Sequence, residues 1–312
     1  MAIDRARLRR LAPRYLIDWA VVIVLLVVSL LLDLVPPYHR EFSITDTSIA
    51  YPYKTSEIVP PWLLFIICFV IPFVLITLTV LFRKPRSFFD WHQTFLGLVM
   101  ALSYTVVFTQ VFKITVGELR PDFLSRCEPN PGIKNPEYGL VTSSICNQTD
   151  TALLYDGMKS FLSGHSSCTF AGMLFLSLFW AGKLATFNRK QGSSWKLALF
   201  FAPLLVAALV AVSRLDDYRH HWQDVLLGSL LGIFIAYLSY RTFFPALTQP
   251  GCSLPYGSQE SYPSQSNPTD LEQGQLINTT ETSNDIHHPP PSSANHIDLQ
   301  ASSSSAPLKS FP

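Results

Sequence analysis

Six apolar runs, each roughly the length of a bilayer span, constrain this chain more than any other feature. They lie at about 17–34, 62–82, 92–112, 163–183, 197–212 and 225–243. A hydrocarbon layer about 30 Å thick takes about 20 residues of α-helix to cross. Backbone in lipid has no water to bond, and a helix satisfies its own N–H and C=O groups. Only 14% of the 312 residues are charged, against about 25% in soluble domains. The expectation is an all-α, polytopic membrane protein with six transmembrane helices in a bundle. The first run is read as a span rather than a signal peptide, because no small-residue cleavage site follows it.

The runs divide the chain into a basic N-terminus (1–16), a transmembrane domain (17–244) and a tail (245–312) rich in Ser, Pro, Asn, Gln and Thr. The tail has too few apolar residues to build a core, so it is expected to be disordered. Segments 1–16, 83–91 and 183–196 hold 5, 3 and 4 Lys and Arg, whereas the longer loops 35–59, 113–160 and 213–222 hold 2, 5 and 2. The denser set is expected in the cytosol, with both termini. Pro72 is expected to kink the second span. Gln93, Ser103, Thr105, Thr109 and Gln110 turn the third span toward other helices. The net charge of +1 gives no reason to expect a nucleic-acid partner, and five cysteines are too few for a disulfide scaffold.

Three polar clusters interrupt this apolar pattern, and counting spans puts all three on the non-cytosolic face. The first, Lys113 to Pro121, leaves the third span. Lys113 and Arg120 are seven residues apart, so they share a face if the helix continues to Pro121. The second, Ser163-Gly164-His165, opens the fourth span. Ser163 suits an N-cap, and Gly164 lets backbone N–H groups approach an anion at a helix N-terminus. The third, Ser213 to Asp224, joins the last two spans. If the chain is helical from His220, then His220 and Asp224 sit at i and i+4. A carboxylate on one imidazole nitrogen leaves the other free to attack. Arg214 offers a planar fork of donors to phosphate oxygens. Lys113, Arg120 and Arg214 together form a cationic pocket that calls for an anion. They also argue against a metal on His165, His220, His221 and Asp224, although the residue types suit one.

In this order the clusters resemble the three signature motifs of the type 2 phosphatidic acid phosphatase (lipid phosphate phosphatase) superfamily. Lys113 to Pro121 matches the first, Leu162-Ser163-Gly164-His165 the second, and Ser213, Arg214, His220 and Asp224 the third. The one departure is Leu162 in place of a proline. The wording around Arg120 and His220 looks like the fungal diacylglycerol pyrophosphate phosphatase branch. The resemblance covers about residues 15–245. It implies that His220 attacks phosphorus to form a phosphohistidine, that Asp224 orients it, and that His165 protonates the leaving oxygen. Lys113, Arg120, Ser163, Gly164 and Arg214 would hold the phosphate. No metal and no other cofactor would be needed. The implied substrates are lipid phosphates in the bilayer: phosphatidate, lysophosphatidate or diacylglycerol pyrophosphate. The implied location is an endomembrane (vacuole, Golgi or ER) or the plasma membrane, with the site facing lumen or outside. The alternatives are a phosphatase of sphingoid-base or polyprenyl phosphates, or a silent protein that binds anionic lipid.

Smaller features follow from this topology. Asn147-Gln148-Thr149 is a sequon on the non-cytosolic side, whereas Asn278-Thr279-Thr280 lies in the cytosolic tail. Cys127 and Cys146 share one non-cytosolic loop, where an oxidising compartment would permit a disulfide between them. Cys252, just past the last span, is a candidate for palmitoylation.

Overall fold

A computed structural model describes residues 5–83, 87–187 and 193–259, with side chains from Tyr15 onward. The Asn278 sequon and the tail from residue 260 lie outside the described residues. Among the described residues every regular element is a helix. We number the long ones α1 (Arg5–Asp33), α2 (Pro61–Phe82), α3 (Phe88–Val116), α6 (Gly164–Lys183), α7 (Ser194–Asp216) and α8 (Trp222–Phe243). Two short helices, α4 (Phe123–Cys127) and α5 (Thr151–Gly157), lie between α3 and α6.

Five of the long helices, α1, α2, α3, α7 and α8, are long and apolar enough to cross a membrane. Their outward side chains, such as Leu30, Phe82, Leu205, Leu209 and Phe234, are exposed and apolar, as a lipid-facing surface requires. The remaining long helix, α6, is different. Its first turns are rich in Ser, Gly, Cys and Thr, and most of its side chains are buried. It packs against α2, α3, α7 and α8, while α1 lies against α3. An enclosed helix has no need of a greasy circumference.

Glycines set how closely α6 is gripped. A Cβ on Gly232 of α8 would lie 2.2 Å from the Ser167 carbonyl oxygen, and one on Gly228 would lie 2.7 Å from that of Ser163. This four-residue spacing lets the two backbones touch, as in other small-residue helix crossings. On the other side, a Cβ on Gly172 would lie 2.0 Å from the Cys68 carbonyl oxygen. Cys68 is four residues before Pro72, which has no N–H to offer that carbonyl. The expected disturbance at Pro72 therefore takes the form of a π-helical turn at Ile66–Val70. The freed carbonyl faces the passing backbone of α6.

At one end of the bundle, the connections 34–60 and 117–162 do not trail as open loops. They share a small apolar core of Phe42, Ile49, Leu119, Phe123, Cys127, Val141 and Met158. A two-way pairing of Phe42 with Val141 ties the two connections together, and the Cys127–Cys146 disulfide staples the second. At the other end, Lys183 pairs with Asp90 and donates to the Ser253 carbonyl at 2.8 Å, while Arg83 donates to the Lys183 carbonyl. The stretch after α8 is packed there as well: Phe244, Cys252 and Pro255 are buried. Two expectations change as a result. The first residues of the predicted tail fold onto the bundle, and the Cys252 thiol, 2% exposed, is closed to an acyl donor.

Candidate active site

The three polar clusters meet at the end of the bundle covered by this small subdomain. Helix α3 does not run on to Pro121. It stops at Val116 because Gly117 turns left-handed, with φ +58°. The Tyr38 N–H caps the Ile114 carbonyl at 2.9 Å, and a Cβ on Gly117 would lie 1.9 Å from the Tyr38 oxygen. Lys113 is thus the last-turn cation of α3, while Arg120 lies on the following loop. They do not share a helix face, and glycine rather than proline is the stop signal. Arg120 is buried; it donates to Asp156 Oδ1 at 2.7 Å, and its own N–H donates to the Gly157 carbonyl at 2.8 Å.

Ser163 is the N-cap of α6, and it accepts from the Ser166 N–H and hydroxyl at 3.4 and 3.0 Å. A Cβ on Gly164 would come within 3.5 Å of Lys113 Nζ, so the first two clusters touch. Leu162, where a proline was expected, is buried against this turn. The His165 Nε2–H donates to the Val59 carbonyl at 2.9 Å, with Arg214 Nη1 3.4 Å away. Arg214, at the end of α7, is fully buried. Its Nη1 donates to Glu57 and its Nη2 to Asp217, both at 2.9 Å, and its Nε and Nη2 donate to the Ser213 hydroxyl.

Helix α8 begins at Trp222, later than expected, with His221 as its N-cap. His220 therefore lies outside the helix, and the i, i+4 geometry is not what joins it to Asp224. Its Nδ1–H donates to the Ser160 carbonyl at 2.7 Å, whereas Asp224 Oδ2 is 3.7 Å away. That carboxylate oxygen accepts instead from the Ser160 hydroxyl at 2.6 Å and the His221 N–H at 3.0 Å. With the proton on Nδ1, the His220 lone pair is on Nε2. Burial depresses the His220 pKa to about 4; Asp224 opposes this, while Arg120 and Lys113 add to it. The ring is neutral and nucleophilic at neutral pH. His221 is pushed the other way, upward, mainly by Asp224.

Around these groups lies an ion network that the sequence reading missed. Arg126 makes two bonds of 2.9 Å to Asp122 and one of 2.8 Å to Asp156, and Arg219 lies 3.2 Å from Glu57. The Arg126 and Arg219 guanidinium groups stack on the Tyr53 ring at 4.6 and 4.8 Å. Asp122 and Arg126 are i and i+4, a visible signal. The pairings to Glu57 and Asp156 span tens to more than 150 residues and carry no local signal. Among the described residues, Glu118, His221 and Asp224 bring possible metal-ligand atoms within 4.8 Å of one another. Neither His165 nor His220 belongs to that group, and the cap and Ser160 contacts already use Asp224 Oδ2.

Comparison with known proteins fits this constellation, because residues 93–247, which hold all three clusters, match the PAP2 superfamily. Diacylglycerol pyrophosphate phosphatase 1 of Saccharomyces cerevisiae is 40% identical over 217 residues, covering 69% of this chain and 74% of the relative. Lipid phosphate phosphatase 2 of Arabidopsis thaliana is 39% identical over 237 residues, covering 75% and 78%. A probable diacylglycerol pyrophosphate phosphatase 1 of Schizosaccharomyces pombe is 37% identical over 247 residues, covering 78% and 86%. The chain belongs to the PAP2 superfamily. It is a membrane-bound phosphatase by that membership. No solved structure matches it.

Proposed function

We propose that this PAP2 protein hydrolyses lipid phosphates, with phosphatidate, lysophosphatidate and diacylglycerol pyrophosphate as its substrate class. The observation that carries the reading is the neutral, Nδ1-protonated His220 beside Lys113 and Arg120, with His165 and Arg214 next to it. His220 Nε2 attacks phosphorus in line, and the bond to the leaving oxygen breaks as His165, charged to the imidazolium when the anionic headgroup binds, gives that oxygen a proton and becomes neutral. Water then attacks the phosphohistidine, transfers a proton to His165 and releases phosphate. Lys113, Arg120, Arg214 and the Ser163–Gly164 helix start stabilise the equatorial oxygens. Such fixed charges do the work that magnesium does in other phosphoryl-transfer sites, so the reaction needs no metal.

In this reading α6 is the sixth span. Twenty residues of helix reach about 30 Å, and α6 runs from the site to Lys183 at the far end. The site faces the lumen or the exterior of an endomembrane or the plasma membrane. Two features support that side: the Cys127–Cys146 bridge, which needs an oxidising compartment, and the basic residues Arg83, Lys183 and Lys196 at the opposite end. The acyl chains stay in lipid while the headgroup enters the cationic pocket. The test is phosphate release from phosphatidate and diacylglycerol pyrophosphate in detergent with EDTA. Wild-type activity that disappears in His220→Ala supports the reading. Equal activity in both would remove His220 as nucleophile, and folded but inactive wild type would favour another substrate or a silent lipid-binding role.

A further inference from the structure

We propose that Ser160 is the positioning residue of the nucleophile: its backbone carbonyl, rather than the Asp224 carboxylate, takes the Nδ1 proton of His220, and its hydroxyl ties Asp224 into the same unit. This rests on the phosphatase reading above and adds a residue outside the three motifs. Ser160 is fully buried, and each of its polar groups has one partner. Its N–H donates to the Glu118 carbonyl at 3.0 Å, its carbonyl accepts from His220 at 2.7 Å, and its hydroxyl donates to Asp224 at 2.6 Å. Glu118 belongs to the first cluster, Ser160 precedes the second, and His220 and Asp224 belong to the third. One residue therefore bonds to the first and third clusters and lies three residues before the second.

The consequence is a division of labour. A carbonyl can only accept, so it fixes the Nδ1–H tautomer and leaves the Nε2 lone pair for phosphorus. Asp224 acts at one remove: it is held off Nδ1 by its bonds to Ser160 and to the His221 N–H. At 3.7 Å the carboxylate still raises the basicity of the ring, but without a direct bond to Nδ1 that would raise it further. The charged and titratable groups acting on His220 are Lys113 from α3, Arg120 from the following loop, His165 from α6 and Asp224 from α8.

Removing the hydroxyl in Ser160→Ala frees Asp224 Oδ2 to turn onto Nδ1, where a charge-assisted bond replaces a neutral one. The expected result is a kcat lowered by about tenfold, a KM within about twofold of wild type, and an acid limb of kcat/KM raised by about one pH unit. In Ser160→Ala/Asp224→Asn that upward shift should vanish, because no carboxylate remains to make the new bond. A wild-type kcat and limb in Ser160→Ala would overturn the proposal, as would effects of the two substitutions that simply multiply. Should Ser160→Ala fail to fold, Asp224→Asn and Asp224→Ala decide the question. The amide can still donate to the Ser160 oxygen, so Asp224→Asn should retain at least tenfold more kcat than Asp224→Ala; equal losses would overturn the tether. An inactive wild type refutes the phosphatase reading itself. An active wild type with an unaltered Ser160→Ala refutes only this inference.

Discussion

Gly232→Ala should separate the two helices that carry the site. A Cβ there would meet the Ser167 oxygen at 2.2 Å and the Ala171 nitrogen at 3.0 Å, both backbone atoms that cannot rotate away. Ordinary carbon–oxygen contact needs about 3.5 Å, so α8 must retreat from α6 by roughly 1 Å. The hydrogen bond from the Ser163 N–H to the Asp224 carbonyl, 3.1 Å long, spans the same crossing and would stretch with it. His165 and Ser163 would then move relative to His220 and Asp224. Misplacement of reacting groups by about 1 Å costs about 100-fold in rate, and overpacking of this kind costs about 1–3 kcal/mol of stability. Gly228→Ala needs a smaller retreat, since its closest contact is 2.7 Å, and should be milder. The assay is kcat at saturating lipid phosphate in detergent, with the thermal midpoint measured alongside. A Gly232→Ala protein with wild-type kcat and midpoint would refute the claim that this crossing sets the site.

Three further outcomes are expected. Arg126→Ala takes both hydrogen bonds from the fully buried Asp122 carboxylate and leaves it only Arg219 Nη1 at 3.8 Å, a loss of about 3 kcal/mol, to be read as a fall in thermal midpoint and in expression of folded protein. Reducing the Cys127–Cys146 bridge, whose cysteines are 19 residues apart, should destabilise the covering subdomain by about 3 kcal/mol and speed proteolysis between residues 117 and 162; an unchanged cleavage rate contradicts this. Because the folded pKa of His220 is depressed, the ring favours the neutral form. Protonation therefore costs the folded state progressively as pH falls from the ordinary value of 6.5 toward about 4. The acid limb of kcat/KM should consequently lie near 4 rather than near 6.5, and a limb at 6.5 would show His220 to be exposed or differently paired.

The helices and the candidate site residues that the fold brings together were legible for the same reason: charged groups are costly in lipid, so Lys113, Arg120, His165, Arg214 and His220 stand out where apolar runs end. The local geometry was less legible. Pro121 reads as the end of the third span, and only the close passage of the Tyr38 backbone makes Gly117 the stop. The four-residue spacing of Gly228 and Gly232 was present in the sequence but is common in apolar helices, and what it touches is a tertiary fact. Glu57 and Asp156 look like ordinary loop acids until the fold sets them against Arg214, Arg120 and Arg126. Cys252 looked accessible because the sequence does not reveal that the chain after α8 turns back onto the bundle.

The most direct test of the central claim is a rapid-quench experiment with diacylglycerol pyrophosphate labelled in its terminal phosphate. The expected result is an acid-labile, base-stable phosphoenzyme that maps to His220, forms in EDTA and is absent from His220→Ala. Turnover without any such intermediate, or label on another residue, would contradict it.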